Sequence, residues 1–106
     1  MGRRSSTADT FAALADPTRR ALLDRLRAGS APVNDLAEGF RMSRPAVSKH
    51  LRVLREARLV AEQRTGRQRV YQITPGPMLE MLRWLEGYRQ FWQLNLGSLK
   101  AHLEKK

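Results

Sequence analysis

The stretch "SRPAVSKHLRVL", residues 43–54, reads as a turn entering a helix with two unlike faces. At 100° per residue, Val47, His50, Leu51, Leu54 and Ala57 fall on one arc. Arg44, Pro45, Ser48, Lys49, Arg52, Arg55 and Glu56 fall on the other. Ser43 stands where an N-cap belongs, and Pro45 sits in the first turn, where its missing N–H costs nothing. The apolar arc is suited to dock the helix on neighbouring elements. The opposite arc sets small residues between long cations and holds them outward. Such a surface fits the major groove of double-stranded DNA. Arginine can make paired bonds to guanine O6 and N7, and the first turn comes nearest the bases. The helix N-terminus also offers N–H groups to a phosphate. A surface helix with merely solvated cations would give the same wheel, so the flanking segments have to decide.

Upstream, "SAPVNDLAEGF" (30–40) predicts an extended entry at Ala31–Val33 and a two-turn helix over Asn34–Phe40. Asn34 is its candidate cap, and Leu36, Ala37 and Phe40 are its buried side. A short link then leads to Ser43, so the two helices form a helix-turn-helix. Downstream, "LVAEQRTGRQRVYQIT" (59–74) places β-rich residues on both sides of Thr65-Gly66-Arg67, which predicts a hairpin whose turn needs Gly66. Arg64, Arg67 and Arg69 make this hairpin a basic wing, able to lie on the backbone or put Arg67 into a minor groove.

The charge follows the same segments. The chain of 106 residues carries 20 Lys and Arg against 10 Asp and Glu, net +10. Residues 41–69 alone hold nine Lys and Arg against Glu56 and Glu62, or +7 of that total. A biased genome would raise arginine content without clustering it. The excess predicts a polyanionic partner, nucleic acid before an anionic membrane surface. No apolar run approaches the ~20 residues of a membrane span. The start, "MGRRSSTADT", lacks the apolar stretch of a secretory signal, so residues 1–8 are expected to be a mobile basic tail. With no cysteine, disulfides and thiolate metal sites are excluded, which fits a reducing cytoplasm.

Two helices precede the helix-turn-helix. "TADTFAALA" (7–15) has cap candidates Thr7 and Asp9, with Phe11 and Leu14 on one face. "DPTRRALLDRLRAG" (16–29) is the cleanest helix, with Asp16 as N-cap, Pro17 at the first position, a Leu22, Leu23, Leu26 stripe and Gly29 as its close. The order is helix, helix, short helix, helix, hairpin, long helix.

Three segments together resemble the winged helix-turn-helix of ArsR-type bacterial transcription repressors. They are "ALADPTRRALLDRLRAG", "VNDLAEGFRMSRPAVSKHLRVLREARLV" and "RQRVYQI", spanning about Phe11 to Ile73. The C-terminal "WLEGYRQFWQLNLGSLKAHLE" resembles a branch of that family with a long, aromatic-rich last helix. The resemblance implies a homodimer that binds an operator and represses, often its own operon. It also implies that Arg44, Pro45, Ser48 and Lys49 read DNA and that the Gly66 turn is the wing tip. Many family members sense metals through Cys in the segment matching "VNDLAEGF" or through His and acidic residues of the last helix. Here the first has no Cys and the second offers only His102 and Glu104, so no metal site is expected. His50 has no second His or Cys three or four residues away and reads as a packed histidine.

The expected fold is therefore mainly α: a winged helix-turn-helix over residues 9–76, with a two-stranded wing, and a C-terminal dimerisation helix over 77–106. On that last helix an apolar arc takes about half the wheel: Met78, Met81, Leu82, Trp84, Leu85, Tyr88, Phe91, Trp92, Leu96, Leu99 and Leu103. Met78, Leu82, Leu85, Trp92, Leu96, Leu99 and Leu103 follow a 3–4 alternation with a gap at Tyr88, as in a helix-pairing seam. Gly87 and Gly97 either allow close approach or mark a bend. Phe11 from the first helix is expected to join the seam. The DNA face is expected to comprise Ser43, Arg44, Pro45, Ser48, Lys49, Arg52, Arg64, Arg67 and Arg69. No catalytic constellation, phosphate loop or cofactor site is present, and no effector is assigned. The same basic surface would serve an activator, an architectural DNA binder or a winged-helix module docking on an acidic protein. Only a specific regulator would prefer one duplex strongly over random DNA.

Overall fold

The computed structural model describes residues 7–91, 93 and 103–104. Five helices and a three-stranded antiparallel sheet follow one another as α1 (Thr7–Leu14), α2 (Pro17–Leu26), β1 (Ala31–Pro32), α3 (Val33–Glu38), α4 (Arg44–Glu56), β2 (Val60–Thr65), β3 (Gln68–Ile73) and α5 (Gly76–Glu86). Helix α1 starts two residues inside the stretch expected as tail; residues 1–6 lie outside the described residues.

Capping chemistry sets several of the helix ends. Asp16 caps α2 by accepting the Arg19 N–H at 3.0 Å, with Pro17 in the first turn. The two arginines that follow turn back on α1. Arg19 donates to the Ala13 and Ala12 carbonyls at 2.7 and 3.1 Å, and Arg20 to those of Leu14 and Ala15 at 2.8 and 3.3 Å. They satisfy the last carbonyls of a helix that has no basic residue in its own last turn. Gly29, at φ +142°, turns the chain from α2 toward β1.

The start of α3 differs from expectation. Pro32, not Asn34, is its cap residue, and no side chain caps it; Asn34 lies exposed in the first turn. Val33 and Leu36 are its buried pair, and Phe40 lies beyond its end, half-buried against the core. The extended entry becomes a strand: Ala31 pairs with Tyr71 and Pro32 with Val70, so the sheet has three strands in the order β1-β3-β2. The wing itself is the β2–β3 pair, as expected. Thr65 pairs with Gln68, leaving Gly66-Arg67 as a two-residue turn. Gly66 has φ +62° and Arg67 does not have positive φ, the pattern of a II′ hairpin turn.

The core is one cluster. Leu22, Leu36, Val47, Leu51, Leu54 and Leu59 are fully buried, with Leu23, Leu26, Val33, Val60 and Tyr71 closing around them. Helix α4 ends in a Schellman motif. The Leu59 N–H reaches the Leu54 carbonyl and the Arg58 N–H the Arg55 carbonyl, both at 2.9 Å. Arg58 sits at φ +62° in the place where glycine is usual. Leu54 and Leu59 form the apolar contact of the motif, and the Thr74 N–H bonds the Leu59 carbonyl at 2.9 Å, which closes the base of the wing. Helix α4 and the wing are thus joined directly through buried leucines.

Helix α5 is the first part of the long helix expected over 77–106, whose glycines, Gly87 and Gly97, allow close approach or a bend. It ends at Glu86, and the Gly87 and Tyr88 N–H groups bond the Trp84 and Leu85 carbonyls at 3.2 and 2.9 Å, a tightened last turn. Helical residues resume at Arg89–Phe91. The interruption falls at Gly87; Gly97 lies outside the described residues.

Candidate nucleic-acid interface

Helix α4 keeps the two faces read from its sequence. Val47, Leu51 and Leu54 are wholly buried, and Ala57 nearly so. Ser43 caps the helix, its Oγ accepting the Ala46 N–H at 3.3 Å, with Pro45 in the first turn. That bond fixes the first turn, on which Arg44 and Pro45 stand exposed. Lys49 and Arg52 are exposed on the next turns, and Ser48 is half-buried between them. His50 lies on the inner side, its Nδ1 3.8 Å from Asp16 Oδ2, beside the cap of α2. Asp16 is held below the ordinary carboxylate range, chiefly by the Arg19 N–H it accepts and further by His50.

The wing rises beside this face. Between them lies a shallow cleft of about 480 Å³, lined by Pro45, Ser48, Lys49, Arg52, Arg55, Glu62, Arg69 and Tyr71. Five of the nine residues expected on the DNA face thus share one concavity: Pro45, Ser48, Lys49, Arg52 and Arg69. Arg44, Arg64 and Arg67 are exposed but do not line it, and Ser43 serves as the cap. Arg64 stands directly opposite Arg69 across the hairpin, a like-charge pair unfavourable in isolation.

The structure adds a group that was not among the expected site residues. Glu62 Oε2 accepts the Tyr71 O–H at 2.7 Å and the Arg55 guanidinium at 3.2 Å, and lies 3.7 Å from the Arg69 guanidinium. Burial pushes the Tyr71 phenol up, and its bond to Glu62 pushes it further. The two-residue turn carries the signal for this cluster: it sets Glu62 opposite Tyr71, two positions from the Arg64–Arg69 pair on the same face. Among the described residues no group of three His, Cys, Asp or Glu is placed to hold a metal ion; His102 lies outside them.

The expected seam is split. Met78 packs against the core, and Leu85 is half-buried. Leu79, Leu82, Trp84, Tyr88, Phe91 and Leu103 are exposed, as is Phe11 on α1. Trp84, which the 3–4 alternation passes over, is central. Its ring meets Phe11 edge-on at 5.7 Å and Tyr88 at 5.1 Å. Trp92, Leu96 and Leu99 lie outside the described residues.

A helix-turn-helix domain family profile matches residues 14–63. A helix-turn-helix-type transcriptional regulator of Mycobacterium tuberculosis is 46% identical over 80 residues, 76% of this chain and 72% of that protein. The transcriptional repressor SdpR of Bacillus subtilis is 34% identical over 77 residues, 73% of this chain and 86% of the repressor. The crystal structure of an ArsR family transcriptional regulator superposes with TM-score 0.74 at 37% identity, covering 81% of this chain and 94% of that one. The chain belongs to the ArsR family of transcriptional regulators. The fold is that family's winged helix, and these relatives are regulators of transcription, not enzymes. A homodimeric winged helix-turn-helix DNA-binding domain of Mycobacterium bovis also matches, with TM-score 0.64 and 25% identity over 78% of this chain and 77% of that one.

Proposed function

We propose that this ArsR-family protein is a homodimeric, sequence-specific repressor that reads an inverted-repeat operator through α4 and its wing and senses no metal. The observation that carries the reading is the capped, rigid α4. Its apolar arc is spent on the core, while Arg44, Pro45, Lys49 and Arg52 are held outward beside a basic wing. Arg44, in the first turn, reads a base edge. Ser48, Lys49 and Arg52 extend the contact along the groove, and Arg64 and Arg67 engage the backbone, with Arg69 beside them on the wing. Repression is steric, the bound dimer excluding polymerase.

The dimer is supported by the exposed aromatic surface that Phe11 of α1 shares with Trp84 and Tyr88, by the exposed Leu82 of α5, and by the homodimeric relative. The C-terminal segment from residue 77 is its main seam. Two copies related by a twofold axis would set two α4 helices in successive major grooves, about 34 Å apart. Selection of bound duplexes from a random pool tests this. The expected result is one inverted repeat with half-site centres about one helical turn apart. Recovery of unrelated sequences would instead identify an architectural binder.

A further inference from the structure

We propose that Glu62 is a positioning residue that limits sequence-independent DNA affinity by holding Arg55 and Arg69 on a fixed carboxylate. This rests on the DNA-binding reading above and concerns the same cleft. Two donors and a further cation converge on one oxygen, Glu62 Oε2: the Tyr71 hydroxyl at 2.7 Å and Arg55 at 3.2 Å donate to it, and Arg69 pairs with it at 3.7 Å. They are unequal in mobility. Tyr71 is buried and Glu62 is 19% exposed, whereas both arginine side chains are 45% exposed. The carboxylate is therefore the fixed member of the cluster, anchored from inside, and the guanidiniums are the members able to swing away.

Among the described residues, Glu62 is also the one carboxylate lining a cleft that Lys49, Arg52, Arg55 and Arg69 make positive. Its presence there works against phosphate binding. A phosphate that takes Arg55 or Arg69 must remove it from Glu62 and then face the bare carboxylate. Half-exposed ion pairs add little to folding stability, so the fold gives weak reason for the arrangement. Its stronger consequence is on polyanion affinity, which depends on how many cations are available to replace counterions. The rival role is a strut: Glu62 offsets the Arg64–Arg69 repulsion and braces the wing. The two roles predict opposite signs.

The test is Glu62→Gln, which keeps side-chain size and an acceptor for Tyr71 but removes the charge. The full-length variant is titrated against a random-sequence DNA duplex at several salt concentrations. Released arginines raise affinity at low salt and steepen the salt slope by about 0.9 for each additional phosphate neutralised, up to about 1.8 per protomer. Between 50 and 200 mM salt, each such phosphate adds about 3.5-fold to the fall in affinity. An unchanged slope with equal or lower affinity overturns the proposal and leaves Glu62 a strut. Arg69→Ala in the otherwise native chain decides the matter even where Glu62→Gln does not fold. With Arg69 already held, the slope should shift by much less than the ~0.9 of one neutralised phosphate, and a shift of a full unit overturns the proposal. A native chain that binds no duplex at low salt refutes the DNA-binding reading itself. A native chain that binds, with no change in Glu62→Gln, refutes only the role of Glu62.

Discussion

Helices α4 and α5 are both amphipathic, yet they use their apolar faces differently. Helix α4 buries Val47, Leu51 and Leu54 completely, whereas α5 buries none of its residues. The apolar arc of α4 matches what the domain can cover, so its working surface is the polar one. The arc of α5 exceeds what the domain can cover, so its working surface is the apolar one. Amphipathicity alone does not separate these proposed roles; the match between arc width and available core does. The aromatic contacts sharpen the contrast: Trp84 touches Phe11 and Tyr88 and still leaves half its surface outside.

The largest expected effect breaks the α4 side. Leu51→Ala removes a fully buried side chain from the centre of the cluster and should cost about 2–5 kcal/mol, read by urea denaturation. Leu82→Glu attacks the α5 side. Leu82 is 49% exposed, so folding should survive, but two copies would bring carboxylates into the proposed seam. Sedimentation should show monomer where the native chain sediments as dimer; an unchanged dimer would move the seam elsewhere. Arg58→Gly should relieve the left-handed residue at the end of α4 and raise stability by about 1 kcal/mol or less, without altering the dimer.

A smaller effect is the acid response of the Asp16 cap. Its folded carboxyl titrates below the unfolded one, so its stabilisation is present above about pH 4 and lost as pH falls through the lower, folded value. Asp16→Asn keeps an N-cap acceptor and should flatten that part of the acid unfolding curve. The smallest expected effect is none: stoichiometric zinc or a chelator should leave duplex affinity unchanged. A reversible loss on adding zinc would require a site that includes residues such as His102 and Glu104.

Local chemistry made most of the fold legible. The Asp16-Pro17 start of α2, Ser43 before α4 and Gly66 in the wing each act within a few residues. Asn34 misled because a polar residue near a helix start is a good cap only if it precedes the first turn. Val33 and Leu36 pack as a pair and pull the start back to Pro32. Strand β1 is two residues long and exists only through its pairing with β3, so no periodicity could announce it. The Glu62 cluster needs, besides the register that the two-residue turn sets, the approach of Arg55 from α4, which is non-local. The 3–4 spacing on α5 does not by itself show that Met78 also packs against the domain's own core, because that contact depends on distant elements.

The most direct test of the account compares Arg44→Ala with Arg67→Ala on the selected operator and on its scrambled duplex, at several salt concentrations. Arg44 stands exposed on the capped first turn of α4, and Arg67 at the tip of the wing. Arg44→Ala should cost about 1–3 kcal/mol on the operator, relax preference at one base pair per half-site and leave the scrambled duplex nearly unaffected. Arg67→Ala should weaken both duplexes by similar factors and lower the salt slope by about one unit for each phosphate the side chain no longer neutralises. Equal weakening of both duplexes by Arg44→Ala would contradict the account, because α4 would then hold the backbone without reading the bases.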